Sequence, residues 1–155
     1  MAFTLPIELK REFTVNASYD KVFGVLADVP ESISHFPKVE SLENLGGNKW
    51  KIASEKVGIS KYSVQTVYAC DYHWDKDQGV VQWEPVPDVG NTEVSGRWMI
   101  EEQGDSVHVV LDTRAVSNVP LPKLAKSLVA PLAIREFEGM VDKYIENLIK
   151  TFNQS

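Results

Sequence analysis

Residues 118–152 read NVPLPKLAKSLVAPLAIREFEGMVDKYIENLIKTF. This is the longest helical pattern in the chain. Leu121, Leu124, Leu128, Leu132, Phe137, Met140 or Val141, Tyr144, Leu148 and Phe152 recur at three- and four-residue spacing, which lays them along one stripe of a helix. Pro131 lies inside the pattern and either kinks a single helix or opens a second one after a shorter helix over about Leu121 to Val129. Glu136, Glu138, Asp142, Lys143, Glu146 and Lys150 supply the wet face. A stripe of this length must be buried against something, and the preceding residues say what.

Between Pro37 and Asn118 the period is two rather than 3.6. VESLENL and NKWKIASEKV read as strands joined by Gly46-Gly47-Asn48, a hairpin signal. ISKYSVQTVYACDYHW (Ile59 to Trp74) reads as one long strand with Tyr62, Val64, Thr66, Tyr68 and Cys70 on one face. After the turn Asp75–Gly79, VVQWEPV is a strand stopped by Pro85 and Pro87. TEVSGRWMIEE sets Thr92, Val94, Gly96, Trp98 and Ile100 on one face. SVHVVLDTRAV does the same with Val107, Val109, Leu111, Thr113 and Ala115, leaving His108, Asp112 and Arg114 opposite. These are the strands of an antiparallel meander with one apolar and one polar face. Ahead of them, IELKREFTV alternates as a strand. Tyr19, Val22, Phe23, Leu26 and Val29 then take helical spacing behind a cap at Asn16 or Ser18, and Pro30 ends or kinks that helix.

The order is therefore strand, helical region, run of strands, long helix: an α+β fold. Only the C-terminal helix is long enough to cover the apolar face of the sheet. A strongly twisted sheet curls around such a helix without touching it everywhere, which leaves a cavity between them.

VNASYDKVFGVLADVPESISHFPKVESLENL (Val15 to Leu45) and the tail from Val119 to Phe152 resemble the START-like, or SRPBCC, helix-grip superfamily. The likeness lies in a small-residue helix start, an Asp at the end of that helix, a proline just before the second strand, and a proline-containing entry to one long amphipathic helix. Within that superfamily the chain is most similar to bacterial polyketide cyclase/dehydrase and coenzyme Q-binding-like proteins. The resemblance covers nearly the whole chain and implies one ligand-binding domain over residues 1–155. It implies a curved antiparallel sheet wrapped around the C-terminal helix, with two short helices after the first strand. DVPESISHF would be the second of these, a bridge that closes one end of the cavity with Val29, Ile33 and Phe36 turned inward. The resemblance specifies fold far better than task, because one cavity serves many tasks in this superfamily.

Bulk properties bound the function. The chain has 155 residues, a net charge of -6 and no basic run, which argues against nucleic acid or an anionic membrane surface as the main partner. Its single cysteine, Cys70, forms no internal disulfide. MAFTLPIELKREF lacks the layout of a secretory signal, and no apolar stretch approaches the ~18 residues of a membrane span, so a cytoplasmic protein is expected. No zinc-type spacing, nucleophile elbow or phosphate-binding loop occurs, so neither metal nor cofactor is expected.

The expected partner is a hydrophobic small molecule, a lipid, isoprenoid quinone or polyketide, held by a carrier or sensor. The inward positions predict Phe36, Trp50, Tyr62, Val64, Thr66, Tyr68, Val94, Trp98, Val109, Leu111, Thr113, Leu128, Phe137, Met140 and Tyr144 as its lining. Tyrosine and tryptophan combine apolar area with a polar handle, which suits orienting a flat ligand, although a packed core needs them equally. An aromatase/cyclase-like enzyme is the alternative. It would need positioning plus one or two polar groups, and Tyr62, Tyr68, His35 and an inward-facing Arg97 are the candidates. A third reading is a protein-interaction module that uses the loop EPVPDVGN (Glu84 to Asn91). The sequence leaves the oligomeric state open.

Overall fold

The structure is a computed structural model that describes residues 3–59 and 61–154. The first strand, β1 (Phe3–Val15), buries Phe3, Leu5, Ile7, Leu9 and Val15 and turns its even-numbered residues outward. Helix α1 (Tyr19–Ala27) starts where the Ser18 hydroxyl accepts from the Lys21 amide at 3.1 Å. It stops at Asp28, whose carboxylate caps α2 (Val29–Ile33) by accepting from the Glu31 amide at 3.2 Å. Pro30 falls in the first turn of α2, where a missing N–H costs nothing.

Strands β2 (Val39–Gly46), β3 (Lys49–Ser54), β4 (Val57–Ile59), β5 (Tyr62–Val64), β6 (Val67–Asp75), β7 (Val80–Pro85), β8 (Thr92–Gln103) and β9 (Ser106–Val119) follow. Seven strands form one antiparallel sheet in the order β1-β9-β8-β7-β6-β3-β2, and β4 and β5 pair separately as a small hairpin. The first strand thus sits at one edge and the second at the other. The α1–α2 segment joins these edges, which is why it caps one end of the sheet's apolar face.

One strand expectation fails. The stretch Ile59 to Trp74 is not a single strand: it turns back between Ile59 and Tyr62 and resumes at Val67. Ser60, part of that expected strand, lies outside the described residues. Gln65 and Thr66 leave the ladder to bond elsewhere: the Gln65 amide nitrogen donates to the Ser54 carbonyl at 2.9 Å, and the Thr66 backbone amide donates to the Ser54 hydroxyl at 3.0 Å. These bonds to Ser54 replace the ladder contacts of a continuous strand.

The C-terminal helix, α3 (Lys126–Phe152), is unbroken and follows a 3₁₀ turn at Lys123–Ala125. Pro131 sits in its second turn, near the end where one missing bond is least disruptive. Val141, Tyr144, Ile145, Leu148 and Phe152 in the C-terminal half are buried. Phe13 ties this half to the sheet, with its ring 6.5 Å from Phe152 and 6.2 Å from Trp98. The start of the expected stripe is out of phase. Leu124 is 94% exposed and Leu128 49% exposed, while Val129 is fully buried. Counting back from Leu148 at about 100° per residue puts Leu128 roughly 160° round the axis, on the far side. Steps of four, taken repeatedly, overrun a 3.6-residue turn.

Leu148→Ala should lower the unfolding free energy by about 2–5 kcal/mol, the range for emptying a buried leucine site. Leu124→Ala should change it by less than about 0.5 kcal/mol. Urea titration of the two variants checks which leucines of the stripe are buried, since equal losses would return Leu124 to the core.

Candidate functional site

Between Val129 and Tyr144, α3 stands over the sheet without filling the space between them. A cavity of about 150 Å³ lies beneath it. The sheet contributes Leu5 and Ile7 from β1, Tyr68 and Tyr72 from β6, Trp83 from β7, Val94 and Trp98 from β8, and Leu111, Thr113 and Ala115 from β9. The helix contributes Val129, Ala133, Phe137, Met140 and Tyr144. Val29, Ser32, Ile33 and Phe36 close one end, so the apolar residues of DVPESISHF do face inward.

An aromatic cluster frames the deep part. The Tyr144 ring lies 5.0 Å from Phe36 and 5.9 Å from Trp98, and Trp98 lies 6.5 Å from Trp83. The Tyr144 hydroxyl hydrogen-bonds the Ser32 hydroxyl, which ties α3 to α2 across the cavity wall. Burial pushes the Tyr144 phenol up to about 12, against the smaller opposing pull of its bonds to Ser32 and Trp98. Burial also raises the phenols of Tyr68 and Tyr72 well above their ordinary value, with the neighbouring Cys70 adding to the effect. All three therefore stay protonated across the physiological range.

Other polar groups in the lining are already engaged. Thr113 donates to the Ser95 carbonyl at 3.1 Å, and Thr92 to the Ser117 hydroxyl at 3.1 Å. Glu136 is the one charged residue among the described lining residues, and it pairs with Lys38 at 2.5 Å. Lys38 takes a left-handed backbone (φ 58°), uncommon for a residue with a Cβ, just before β2.

Of the residues expected to line a cavity, Phe36, Val64, Thr66, Tyr68, Val94, Trp98, Leu111, Thr113, Phe137, Met140 and Tyr144 do so. Four do not. Trp50 packs on the second core cluster, with Val29, Cys70 and Tyr72. Tyr62 lies on the small β4–β5 hairpin, partly buried against the main core. Val109 is fully buried in the packed core rather than at the cavity wall. Leu128 faces away, for the reason of phase given above.

The candidate enzymatic groups scatter as well. His35 lies outside the lining, with Nε2 2.8 Å from the Thr151 hydroxyl and Nδ1 2.9 Å from the Glu31 carbonyl. Arg97 stands on the outer face opposite Asp112, so the register that would have brought it inward is not adopted. Cys70 is fully buried and donates to the Val94 carbonyl at 3.3 Å. Tyr72 and Trp83 are cavity residues the sequence reading missed. Their signal was parity: Tyr72 continues the Thr66, Tyr68, Cys70 face, and Trp83 follows buried Val81 by two. Ser32 had no comparable signal.

Residues 6–153 match the family described as polyketide cyclase / dehydrase and lipid transport. The chain belongs to this family. Solved structures share the polyketide cyclase/dehydrase and lipid-transport fold at low identity. A START superfamily protein from Mycobacterium smegmatis aligns over 94% of this chain and 96% of its own, with a TM-score of 0.67 and 13% identity. The Zhui aromatase/cyclase from Streptomyces sp. R1128 aligns over 94% and 90%, with a TM-score of 0.58 and 20% identity. A conserved protein from Geobacillus kaustophilus aligns over 97% and 95%, with a TM-score of 0.62 and 14% identity. No curated protein matches the sequence. Among the described residues no helix is long and apolar enough to cross a membrane.

Two outcomes follow from this geometry. Tyr144→Phe strands the Ser32 hydroxyl and should cost about 1 kcal/mol of stability, with Ser32→Ala costing a similar amount and the double variant less than the sum. A double-mutant cycle by chemical denaturation measures this, and additive losses would mean the bond carries no coupling. Burial also pushes the Cys70 thiol up to about 12, so the reactive thiolate is scarce at pH 8. Iodoacetamide should leave the native protein unlabelled there and modify it fully in urea.

Proposed function

We propose that the protein binds one uncharged, hydrophobic small molecule in this cavity and acts as its carrier or sensor. The observation that carries the reading is the lining itself: an apolar, aromatic-rich enclosure whose one described charge is already neutralised by Lys38. Such a surface gains by excluding water and has no charge free to hold an ion. A dry apolar cavity of this order accepts at least one aromatic ring. Membership of a family described by both cyclisation and lipid transport supports a lipid, an isoprenoid quinone or a polyketide as the occupant. A reducing, cytoplasmic setting agrees with the single buried thiol.

An aromatase/cyclase activity is the second reading. It is favoured by phenol hydroxyls standing inside the cavity, which could orient a poly-ketone chain for aldol dehydration. Of the groups considered for that chemistry, Tyr68 is the one the cavity contains. Product profiles unchanged by Tyr68→Phe would remove this reading.

Native mass spectrometry of freshly purified protein, followed by organic extraction, tests the binding reading. The expected result is a neutral hydrophobic species that co-purifies. Ala133→Trp, which fills the cavity from the helix side, should lose that species while keeping the fold by circular dichroism. If no adduct appears, and no lipid, quinone or polyketide from a panel raises the melting temperature, the reading fails.

A further inference from the structure

Most cavity hydroxyls satisfy one another or the backbone, as Ser32 with Tyr144, Thr92 with Ser117 and Thr113 with Ser95 show. Three do not. The hydroxyls of Thr66, Tyr68 and Tyr72 have no hydrogen-bond partner among the described residues, and all three line the cavity. Tyr68 and Tyr72 share parity along β6, so they stand on a single wall. Tyr72 is only 8% exposed. No fully buried side-chain nitrogen or oxygen lacks a partner among the described residues, so these hydroxyls reach open space, where a bound molecule can complete the bond.

We infer that a phenol of the Tyr68–Tyr72 wall supplies the recognition bond to an uncharged acceptor oxygen, a carbonyl carried by an otherwise apolar ligand, and that the cavity rejects carboxylates. The inference rests on the cavity being a ligand site. Each phenol keeps its proton, so it offers a donor to a lone pair. A carbonyl presents that lone pair at little desolvation cost, whereas a carboxylate would enter a lining whose described residues offer no free cation and whose Glu136 already holds Lys38. Tyr144 does not compete for the same oxygen, because its hydroxyl is committed to Ser32.

Three probes separate the possibilities: tetralin, α-tetralone and 2-naphthoate, each titrated at pH 7 into the wild type, Tyr68→Phe and Tyr72→Phe. The wild type should bind the first two and hold 2-naphthoate at least tenfold more weakly than α-tetralone. At least one phenylalanine variant should weaken α-tetralone by about three- to tenfold, the value of one net hydrogen bond, and leave tetralin unchanged. Neither variant should lower the melting temperature, since each removes a hydroxyl with no protein partner. Tetralin bound by all three proteins, with α-tetralone indifferent to both changes, would overturn the subsite and leave the ligand cavity standing. Tight 2-naphthoate binding would likewise overturn the exclusion of anions. A wild type that binds none of the probes would sink the subsite together with the cavity reading.

Discussion

The structure depends on a mismatch of widths. Seven strands at about 4.8 Å spacing span roughly 30 Å, while one helix with its side chains is about 10–12 Å across. The sheet buries one face only, and α3 is the one element long enough to cover it. Curling the sheet around the helix brings both edges nearer but cannot bring every strand into contact with it. Phe13 and Phe152 close the gap beneath the last turns of α3. From Val129 to Tyr144 the helix faces the sheet through Ala133, Phe137 and Met140, and the gap stays open. The cavity is therefore the geometric remainder of the fold, placed where side chains on the helix stop reaching the sheet.

The same mismatch explains why α2 matters beyond its five residues. A curled sheet is open at its ends, and the crossing from β1 to the opposite edge passes over one of them. Asp28 starts α2 at the residue where α1 gives out, and Pro30 fits the first turn, so two short helices replace one long one that would have overshot. This turns Ser32 toward Tyr144 and Phe36 toward the same ring. Lys38 then pairs with Glu136. The α1–α2 bridge is thereby fastened to α3 at two points along the cavity, one polar and buried, the other charged and at its rim.

Much of this was legible in the sequence, because strand parity is a strong signal where one face is dry. Val94 and Trp98, or Leu111 and Thr113, could be assigned to the inner face from spacing alone, and Arg97 with Asp112 to the outer one. Parity does not tell a packed wall from an open one, which is why Val109 and Leu111 read alike although only Leu111 meets the cavity. Helical phase was harder. Four-residue steps carry the stripe past its true course at Leu128, and Leu124 lies ahead of the helix, in the 3₁₀ turn. The break after Ile59 carried no glycine or proline at the turn itself. The side-chain and backbone bonds around Ser54 that replace the ladder join residues distant in the sequence, beyond the reach of local pattern.

The pairing of β1 with β9 has a kinetic consequence. Phe3 lies opposite Val119 and Val15 opposite Val107, so the longest ladder in the sheet joins segments about a hundred residues apart. None of its bonds can form until most of the chain is present, and closing so large a loop costs entropy before any of it is repaid. The meander from β2 to β9 is made of neighbours in sequence and can zip in order. Sealing its last edge with the first strand is the slow, late event. Until then β9 presents an unpaired apolar edge, the point at which a nascent chain of this design is most open to mispairing with another.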